Sequence, residues 1–143
     1  MTSASSLPLD LTKCVLDYYF GDESISSTSS GFAAKLANGR VVTWGYAVSG
    51  GDSSSVKAEL KDVDTIYSNR GAFAAKLTIG RVVTWGLAEY GGDSSSVQAE
   101  LKEVDTIYST DDAFAAKLAD GCVVTWGNPS HGGDSSSLCA IPS

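Results

Sequence analysis

The side chains with the clearest potential for chemistry are three aspartates that recur along the 143-residue chain. Asp52, Asp93 and Asp134 each stand in an identical Gly-Gly-Asp-Ser-Ser-Ser segment, so any chemistry they perform would be present three times. One interpretation is an oxygen-rich metal or sugar site, but a calcium loop takes several carboxylates and each segment supplies one. Helix capping explains the same residues, because Asp and Ser before a helix accept hydrogen bonds from its first N–H groups. We favour the capping role.

Three tryptophans and a single histidine are the other candidates for ligand chemistry. Trp44, Trp85 and Trp126 could form a stacking platform, but they recur in step with predicted strands, which favours a role in packing. His131 is the only histidine in the sequence, so neither a histidine metal site nor a Ser–His pair is supported. We therefore predict no catalytic residue, no metal and no cofactor, and we do not expect an enzyme.

The composition limits the partners. The chain carries 17 acidic and 10 basic side chains, a formal net charge of −7 at pH 7. This charge argues against nucleic acid, which requires a basic face. No apolar run approaches the roughly 18 residues of a membrane span and no signal peptide is visible, so we predict no direct membrane insertion and a cytosolic or organellar location. The odd number of cysteines, without metal-like clustering, predicts structural or incidental thiols rather than a disulfide framework.

The elements that position these residues belong to a segment that occurs three times, Phe-Ala-Ala-Lys-Leu-x-x-Gly-x-Val-Val-Thr-Trp-Gly. Its copies run over 32–45, 73–86 and 114–127, and the tryptophans are 41 residues apart. A fixed period of this size indicates a repeat architecture. We divide the chain into an N-terminal extension or partial capping repeat, 1–21, and three repeats, 22–62, 63–103 and 104–143.

Each repeat is predicted to contain three strands followed by a short helix. β-branched and aromatic residues favour a first strand at 24–27, 65–68 and 106–109. The repeated segment supplies the second and third strands. Both faces of such a sheet are largely apolar, and its alanines leave space for larger neighbours, so we predict that the sheets stack on one another.

The turn between the second and third strands predicts their register. Asn-Gly at 38–39 is a strong signal for a two-residue hairpin turn. That turn would pair Leu36 with Val41 and place the phenylalanine and tryptophan of the repeat on opposite faces. Ile79 takes the place of the asparagine in the second repeat, and we predict either strain or another turn type there because a β-branched residue disfavours positive φ.

Four residues after each Trp-Gly pair differ in every repeat, while the sequence on either side is constant. Variable loops on a rigid scaffold commonly carry recognition, so we predict that this rim binds a partner. Neutral drift in exposed loops is the alternative. The corners at 69–71 and 110–112 are predicted to form a second, alternative rim. The candidate binding residues are Tyr46, Val48, Leu87, Glu89, Tyr90, Asn128 and His131.

The alanine-rich strand, the Asn-Gly or Asp-Gly turn, the Val-Val-Thr-Trp-Gly strand and the glycine corner form a pattern that resembles a known repeat. It is similar to the repeat of the regulator of chromosome condensation family, in a compact form like that of secreted proteinaceous β-lactamase inhibitors and of bacterial surface and dinoflagellate repeat proteins. The resemblance covers 22–137. It implies a mainly β fold, a three-bladed β-propeller-like arc with three strands and a short helix per repeat. A threefold β-trefoil or β-prism remains the alternative.

An arc of three blades implies partners, because propellers usually close with 4–8 blades. The principal hypothesis is a non-catalytic protein–protein interaction or scaffold module. Its protein partners would bind the rim or the blade ends, or the ends would associate with a second copy. A peripheral subunit of a larger complex fits this role, for example in a photosynthetic membrane assembly if the source is dinoflagellate-like. The alternative is a carbohydrate-binding or surface-adhesion module.

Overall fold

A computed structural model describes residues 24–134, in which each repeat forms one three-stranded antiparallel sheet. The strands of the first sheet are β1 (Ile25–Ser27), β2 (Gly31–Lys35) and β3 (Val41–Gly45). Those of the second are β4 (Val63–Ser68), β5 (Ala72–Leu77) and β6 (Val82–Gly86), and those of the third are β7 (Val104–Ser109), β8 (Ala113–Leu118) and β9 (Val123–Gly127). The strand order in each sheet follows the chain. The three strands predicted for each repeat are confirmed.

Short 3₁₀ helices connect the strands. One follows the third strand of each sheet, at Ala47–Ser49, Ala88–Tyr90 and Pro129–His131. Two more, Ser54–Glu59 and Ser95–Val97, follow Gly-Gly-Asp segments and take the place of the predicted short helix. None of the helices in the described part of the chain has the length and apolar character of a membrane span.

The hairpin between β2 and β3 differs from the prediction. The Gly39 N–H donates to the Leu36 carbonyl at 2.9 Å, and the Leu36 N–H donates to the Arg40 carbonyl at 2.8 Å. With Gly39 at φ 85°, this is a three-residue loop that ends in a left-handed glycine. The extra residue shifts the pairing by one position, so that Phe32 lies opposite Trp44. The predicted register, and the opposite faces assigned to these two residues, are therefore wrong.

The same loop accommodates Ile79 in the second sheet. Gly80 takes the positive φ, at 90°, and Ile79 is not among the described non-glycine residues with positive φ. Ile79, the residue before the glycine, is the last central residue of a type I turn. That position has a negative φ, which a β-branched residue tolerates. Of the two outcomes predicted for this hairpin, strain is wrong and another turn type is confirmed.

The corrected register creates one aromatic face on each sheet. The phenylalanine and tryptophan rings of each repeat stack with centroids 5.2–5.4 Å apart. The aromatic face of the second sheet packs on Ala33 of the first, and that of the third packs on Ala72 and Ala74 of the second. The predicted match of large residues to alanines is confirmed. The sheets contact one another in chain order and form a three-bladed β-propeller-like arc, and we call them blades 1 to 3.

Two predictions concern the ends of the described region. Cys122, in the hairpin of blade 3, is disulfide-bonded, and its partner lies outside the described residues. The prediction of a structural or incidental thiol is wrong for this residue. The repeat gave no sign of the disulfide, because Cys122 takes the position of Arg40 and Arg81. The predicted N-terminal extension, 1–21, and the end of the third repeat, 135–143, also lie outside the described residues.

Candidate interaction rim

The variable loops and the corners between the first and second strands lie at the same edge of the blades. In each blade a corner side chain donates a hydrogen bond to the last residue of the variable loop. These bonds join Thr28 Oγ1 to the Ser49 carbonyl, Asn69 Nδ2 to the Tyr90 carbonyl and Thr110 Oγ1 to the His131 carbonyl, over 2.8, 2.7 and 3.0 Å. The two edges predicted as alternatives therefore form one rim, because the corners are bonded directly to the loops.

Part of the predicted binding set faces solvent on this rim. Tyr46 and Val48 of blade 1 are large, exposed apolar side chains, and Glu89 of blade 2 is exposed as well. The loops that carry these side chains end at Gly50 and Gly91. Both glycines adopt φ 104°, which sets the direction in which each loop leaves the rim. Exposed apolar side chains on rigid backbone are available to a partner at little cost in conformational entropy.

The other predicted residues support the loops. Leu87 and Tyr90 are half-buried because they cover Gly71, where an added Cβ would lie 2.6 Å from Tyr90 Cδ2. Asn128 Oδ1 accepts a hydrogen bond from the Ser130 N–H at 2.9 Å, which caps the short helix of blade 3. These residues shape the rim, and the sequence pattern alone does not separate them from the exposed ones.

One ion cluster joins blades 2 and 3 at the rim. The Asp112 side chain is 4% exposed, with its carboxylate oxygens 2.9 Å from Arg70 Nη2 and 3.0 Å from His131 Nδ1. The guanidinium of Arg70 also lies 5.1 Å from the centre of the Tyr90 ring, and its Nη2 donates to the Tyr90 hydroxyl at 3.1 Å. The hydrogen bond and negative charge of Asp112 raise the pKa of Arg70 above its ordinary value. Sequence reasoning assigned Arg70 and Asp112 only to the alternative rim. Nothing in the sequence pattern indicated that the two side chains form an ion pair.

Replacing Arg70 by alanine should destabilise this joint between blades. Among the described residues, the buried Asp112 carboxylate would keep only the His131 ring as a side-chain partner, at 3.0 Å, and a buried carboxylate that loses a partner is costly. Because the Arg70 side chain is 52% exposed, solvent screens part of its interaction with Asp112, and we expect a small but measurable loss in the free energy of unfolding. Urea denaturation measures this loss. Arg40→Ala is the control, since Arg40 makes no ion pair in the described region, and an equal loss in both variants would contradict the prediction.

Asp52 and Asp93 close turns that lead into the two connector helices. Asp52 Oδ1 accepts from the Ser54 N–H at 2.9 Å, and Asp93 Oδ1 accepts from the Ser95 N–H at 3.0 Å. These hydrogen bonds lower the pKa of both carboxyl groups below the ordinary 3.8. Within residues 24–134, no three His, Cys, Asp or Glu side chains are grouped so that they could hold a metal ion. The N-cap residues of these helices are Ser53 and Ser94, and their side chains make no cap bond. The predicted capping is therefore replaced by an aspartate turn one residue earlier.

The two aspartate turns should contribute to acid sensitivity. Since the folded pKa of Asp52 and of Asp93 is depressed, their contribution to stability is complete above the unfolded pKa and disappears as the pH falls through the folded one. The double variant Asp52→Asn/Asp93→Asn keeps an oxygen acceptor but cannot titrate there. We expect it to lose less stability than the unchanged protein between about pH 5 and about pH 2 in urea titrations. Parallel curves for the two proteins would contradict this expectation.

The tryptophans divide into two kinds. Trp85 and Trp126 are each 3% exposed, and their Nε1–H groups donate to the carbonyls of Gly50 and Gly91 at 3.1 and 3.0 Å. They therefore belong to the packing between blades and offer no platform to a ligand. Trp44 is half-buried, on the aromatic face of blade 1.

A polar depression of about 460 Å³ lies where the three corners meet. Each blade contributes three equivalent residues, at 27–29, 68–70 and 109–111. Serine and threonine hydroxyls dominate the lining, with Arg70 and Asp111 as its charged members. The depression can exchange hydrogen bonds with a polar group, and it is continuous with the rim through Arg70.

Comparison with known proteins agrees with this architecture. No protein-family model and no curated protein matches the chain. The structure of Kap60 bound to yeast RCC1 (Prp20) matches with a TM-score of 0.55 at 17% identity, over 84% of this chain and 35% of that one. Human WBSCR16 matches with a TM-score of 0.52 at 17% identity, over 77% of this chain and 34% of that one. The chain thus spans about a third of the length of either structure, and the likeness shows an RCC1-like repeat fold.

Proposed function

We propose that this RCC1-like three-bladed arc is a non-catalytic protein–protein interaction or scaffold module whose protein partner binds at the rim. The observation that supports it most directly is the contrast between framework and rim. The framework repeats the same strands and tryptophan bonds, whereas the rim differs from blade to blade. Exposed Tyr46 and Val48 stand on blade 1, and the Arg70–Asp112–His131 cluster joins blades 2 and 3. An asymmetric surface suits one large partner better than three copies of a small ligand.

The chemistry of the rim fits a protein surface. Tyrosine and arginine are enriched at protein interfaces, where an apolar body is combined with a polar end. Tyr46 and Arg70 provide these side chains, and Glu89 adds a charge at the edge. Yeast RCC1, which has a fold of this kind, is bound to Kap60 in the matched structure, and this precedent favours a protein partner here too. Within a larger assembly, such as a photosynthetic membrane complex, the module would be a peripheral subunit.

A carbohydrate-binding or surface-adhesion module is the second candidate. It is favoured by the depression of about 460 Å³, because each blade lines it with equivalent, mostly hydroxyl-bearing residues. A small polyhydroxylated ligand could exchange hydrogen bonds with these groups. The charges of Arg70 and Asp111 in the lining break the symmetry, and for that reason we place this function second.

The proposal is tested by capture from an extract of the native source with a matched pair of variants. Tyr46→Ser/Val48→Ser removes the exposed apolar side chains of the rim, and Ile79→Ser removes an equally exposed one at the opposite, hairpin edge. We expect one protein to be captured in stoichiometric amount by the unchanged chain and by Ile79→Ser, and to be lost with the rim variant. Equal capture by all three proteins would overturn rim binding. Binding to a glycan array that is insensitive to the rim variant would favour the second candidate.

A further inference from the structure

We propose that two copies of this chain associate head to tail, with the aromatic face of blade 1 in one copy seated on the glycine corner of blade 3 in the other. This contact uses the two ends of the arc, with corner groups of the rim at its border, and it does not depend on the proposed function. It would reproduce, between molecules, the joint that already holds the blades together within one molecule.

The internal joint has the same parts both times it occurs. Phe73 lies so close to Gly50 that a Cβ added at this glycine would overlap its ring, and Trp85 Nε1 donates to the Gly50 carbonyl at 3.1 Å. One repeat later, a Cβ at Gly91 would lie 2.6 Å from Phe114 Cδ2, and the equivalent tryptophan bond follows. Each joint therefore inserts a stacked aromatic pair against a bare glycine of the preceding blade.

Among the described residues, no such glycine precedes blade 1, whose aromatic face is partly exposed. Phe32 is 44% exposed, whereas its equivalent Phe73 is 0% exposed. Ile25 is 47% exposed, whereas Ile66 is 8% exposed. Trp44 completes the pair, stacked on Phe32 with centroids 5.4 Å apart. The face is an apolar surface built for a blade joint and left open.

Blade 3 presents the complementary half. Gly132 has φ 100°, close to the 104° of Gly50 and Gly91, but no atom of the described residues lies within 4 Å of a Cβ built on it. On the same side of the blade, Ala115 and Val123 are partly exposed, whereas their equivalents in blade 2 are buried. The Phe32–Trp44 pair needs a partner surface of small residues with a glycine, as in the two internal joints, and this face of blade 3 provides one.

The backbone at the corners carries a third complementary pair of groups. The Ser29 N–H donates to the Arg70 carbonyl and the Arg70 N–H donates to the Asp111 carbonyl, each at 3.0 Å. Continuing the series, the Asp111 N–H of one copy would donate to the Ser29 carbonyl of the next. Neither of these two groups has a hydrogen-bond partner within the described part of the chain.

The ends differ from each other, so the contact is heterologous rather than two-fold symmetric. A second copy is the partner that fits these ends. The aromatic rings at one end match the glycine at the other, and the free backbone groups of the two corners are complementary. The chain carries a formal net charge of −7, so copies repel at low ionic strength. Association should therefore strengthen as salt rises to about 0.15 M, where the Debye length is about 8 Å.

The test is the mass in solution, measured by light scattering on a sizing column over a range of concentrations at about 0.15 M salt. We expect the mass of the full chain to rise above that of the monomer as the concentration increases. Phe32→Ser removes the inserted ring, and Gly132→Ala adds a Cβ where the ring would sit. Each variant alone should remain monomeric and associate at least about tenfold more weakly. Ile79→Ser, at the hairpin edge, should associate like the unchanged protein.

A mixture of the two variants provides the sharper result. The Phe32→Ser protein keeps an intact glycine corner, and the Gly132→Ala protein keeps an intact aromatic face, so the mixture should form a 1:1 dimer that grows no further. Unfolding curves of the separate variants show whether each monomer is folded. A full chain that is monomeric at every concentration would overturn the proposal, and would indicate that another protein or the chain's own segments at 1–23 or 135–143 occupy these ends. Association of Gly132→Ala alone to the normal extent, or failure of the mixture, would also overturn it.

Discussion

Trp85→Ala should lower the free energy of unfolding by about 3–5 kcal/mol, the range seen when a buried large aromatic side chain is removed from a core. The Trp85 side chain is 3% exposed, stacks on Phe73 with centroids 5.2 Å apart, and donates to the Gly50 carbonyl. Removing it empties the middle of the joint between blades 1 and 2 and leaves that carbonyl without its indole donor. Urea denaturation followed by circular dichroism measures the change.

Trp44→Ala is the matched control for this prediction. Trp44 has the same neighbour in its own blade but stands at the open end of the arc, where it is half-buried. We expect less than half of the loss found for Trp85→Ala, measured at a concentration where the protein is monomeric. A Trp85→Ala variant of nearly unchanged stability would contradict the packing role and restore the hypothesis of a ligand platform.

Gly50→Ala should destabilise the protein by about 1–3 kcal/mol more than Gly132→Ala. Both glycines have a φ near 100°, so both substitutions carry the strain of a left-handed alanine, on the order of 1–2 kcal/mol. At Gly50 the new Cβ would also overlap the Phe73 ring, whereas at Gly132 it would meet no atom of the described residues within 4 Å. The difference between the two variants therefore isolates the clash with the next blade.

The comparison is made on the free energies of unfolding of the two variants in dilute solution. Gly91→Ala is expected to behave like Gly50→Ala, because its Cβ would lie 2.6 Å from Phe114 Cδ2. Equal losses in the Gly50 and Gly132 variants would mean that the phenylalanine ring moves aside freely. The aromatic–glycine joint would then not be the rigid element that fixes one blade on the next.

Much of the framework could be predicted from the sequence because it is repeated. A period of 41 residues, three apolar strands and small residues on both faces require stacked sheets, and the structure has them. The register was missed by one residue because Asn-Gly is compatible with both a two-residue turn and a three-residue loop that ends in glycine. Ile79 contained the missing information: a β-branched residue before the glycine is compatible only with the longer loop, which the structure adopts.

The rim was less predictable, because it depends on residues that break the repeat. Arg70 and Asp112 occupy non-equivalent corner positions in successive repeats. Their side chains form an ion pair because the corners of blades 2 and 3 lie side by side in the fold. No local pattern links residues 42 positions apart that appear once each. The variable loops could be found by comparing the repeats, but the corner hydrogen bonds that merge the two edges into one rim required the fold.

The central claim is that the rim, and not the framework beneath it, carries recognition. The most direct test is isothermal titration of the captured partner with the Tyr46→Ser/Val48→Ser and Ile79→Ser variants, beside their unfolding curves. We expect the rim variant to lose at least about tenfold in affinity, or roughly 1.4 kcal/mol, with an unchanged unfolding midpoint, while Ile79→Ser binds normally. Unchanged affinity in the rim variant, with binding lost in a variant at the blade ends or the hairpin edge, would contradict it.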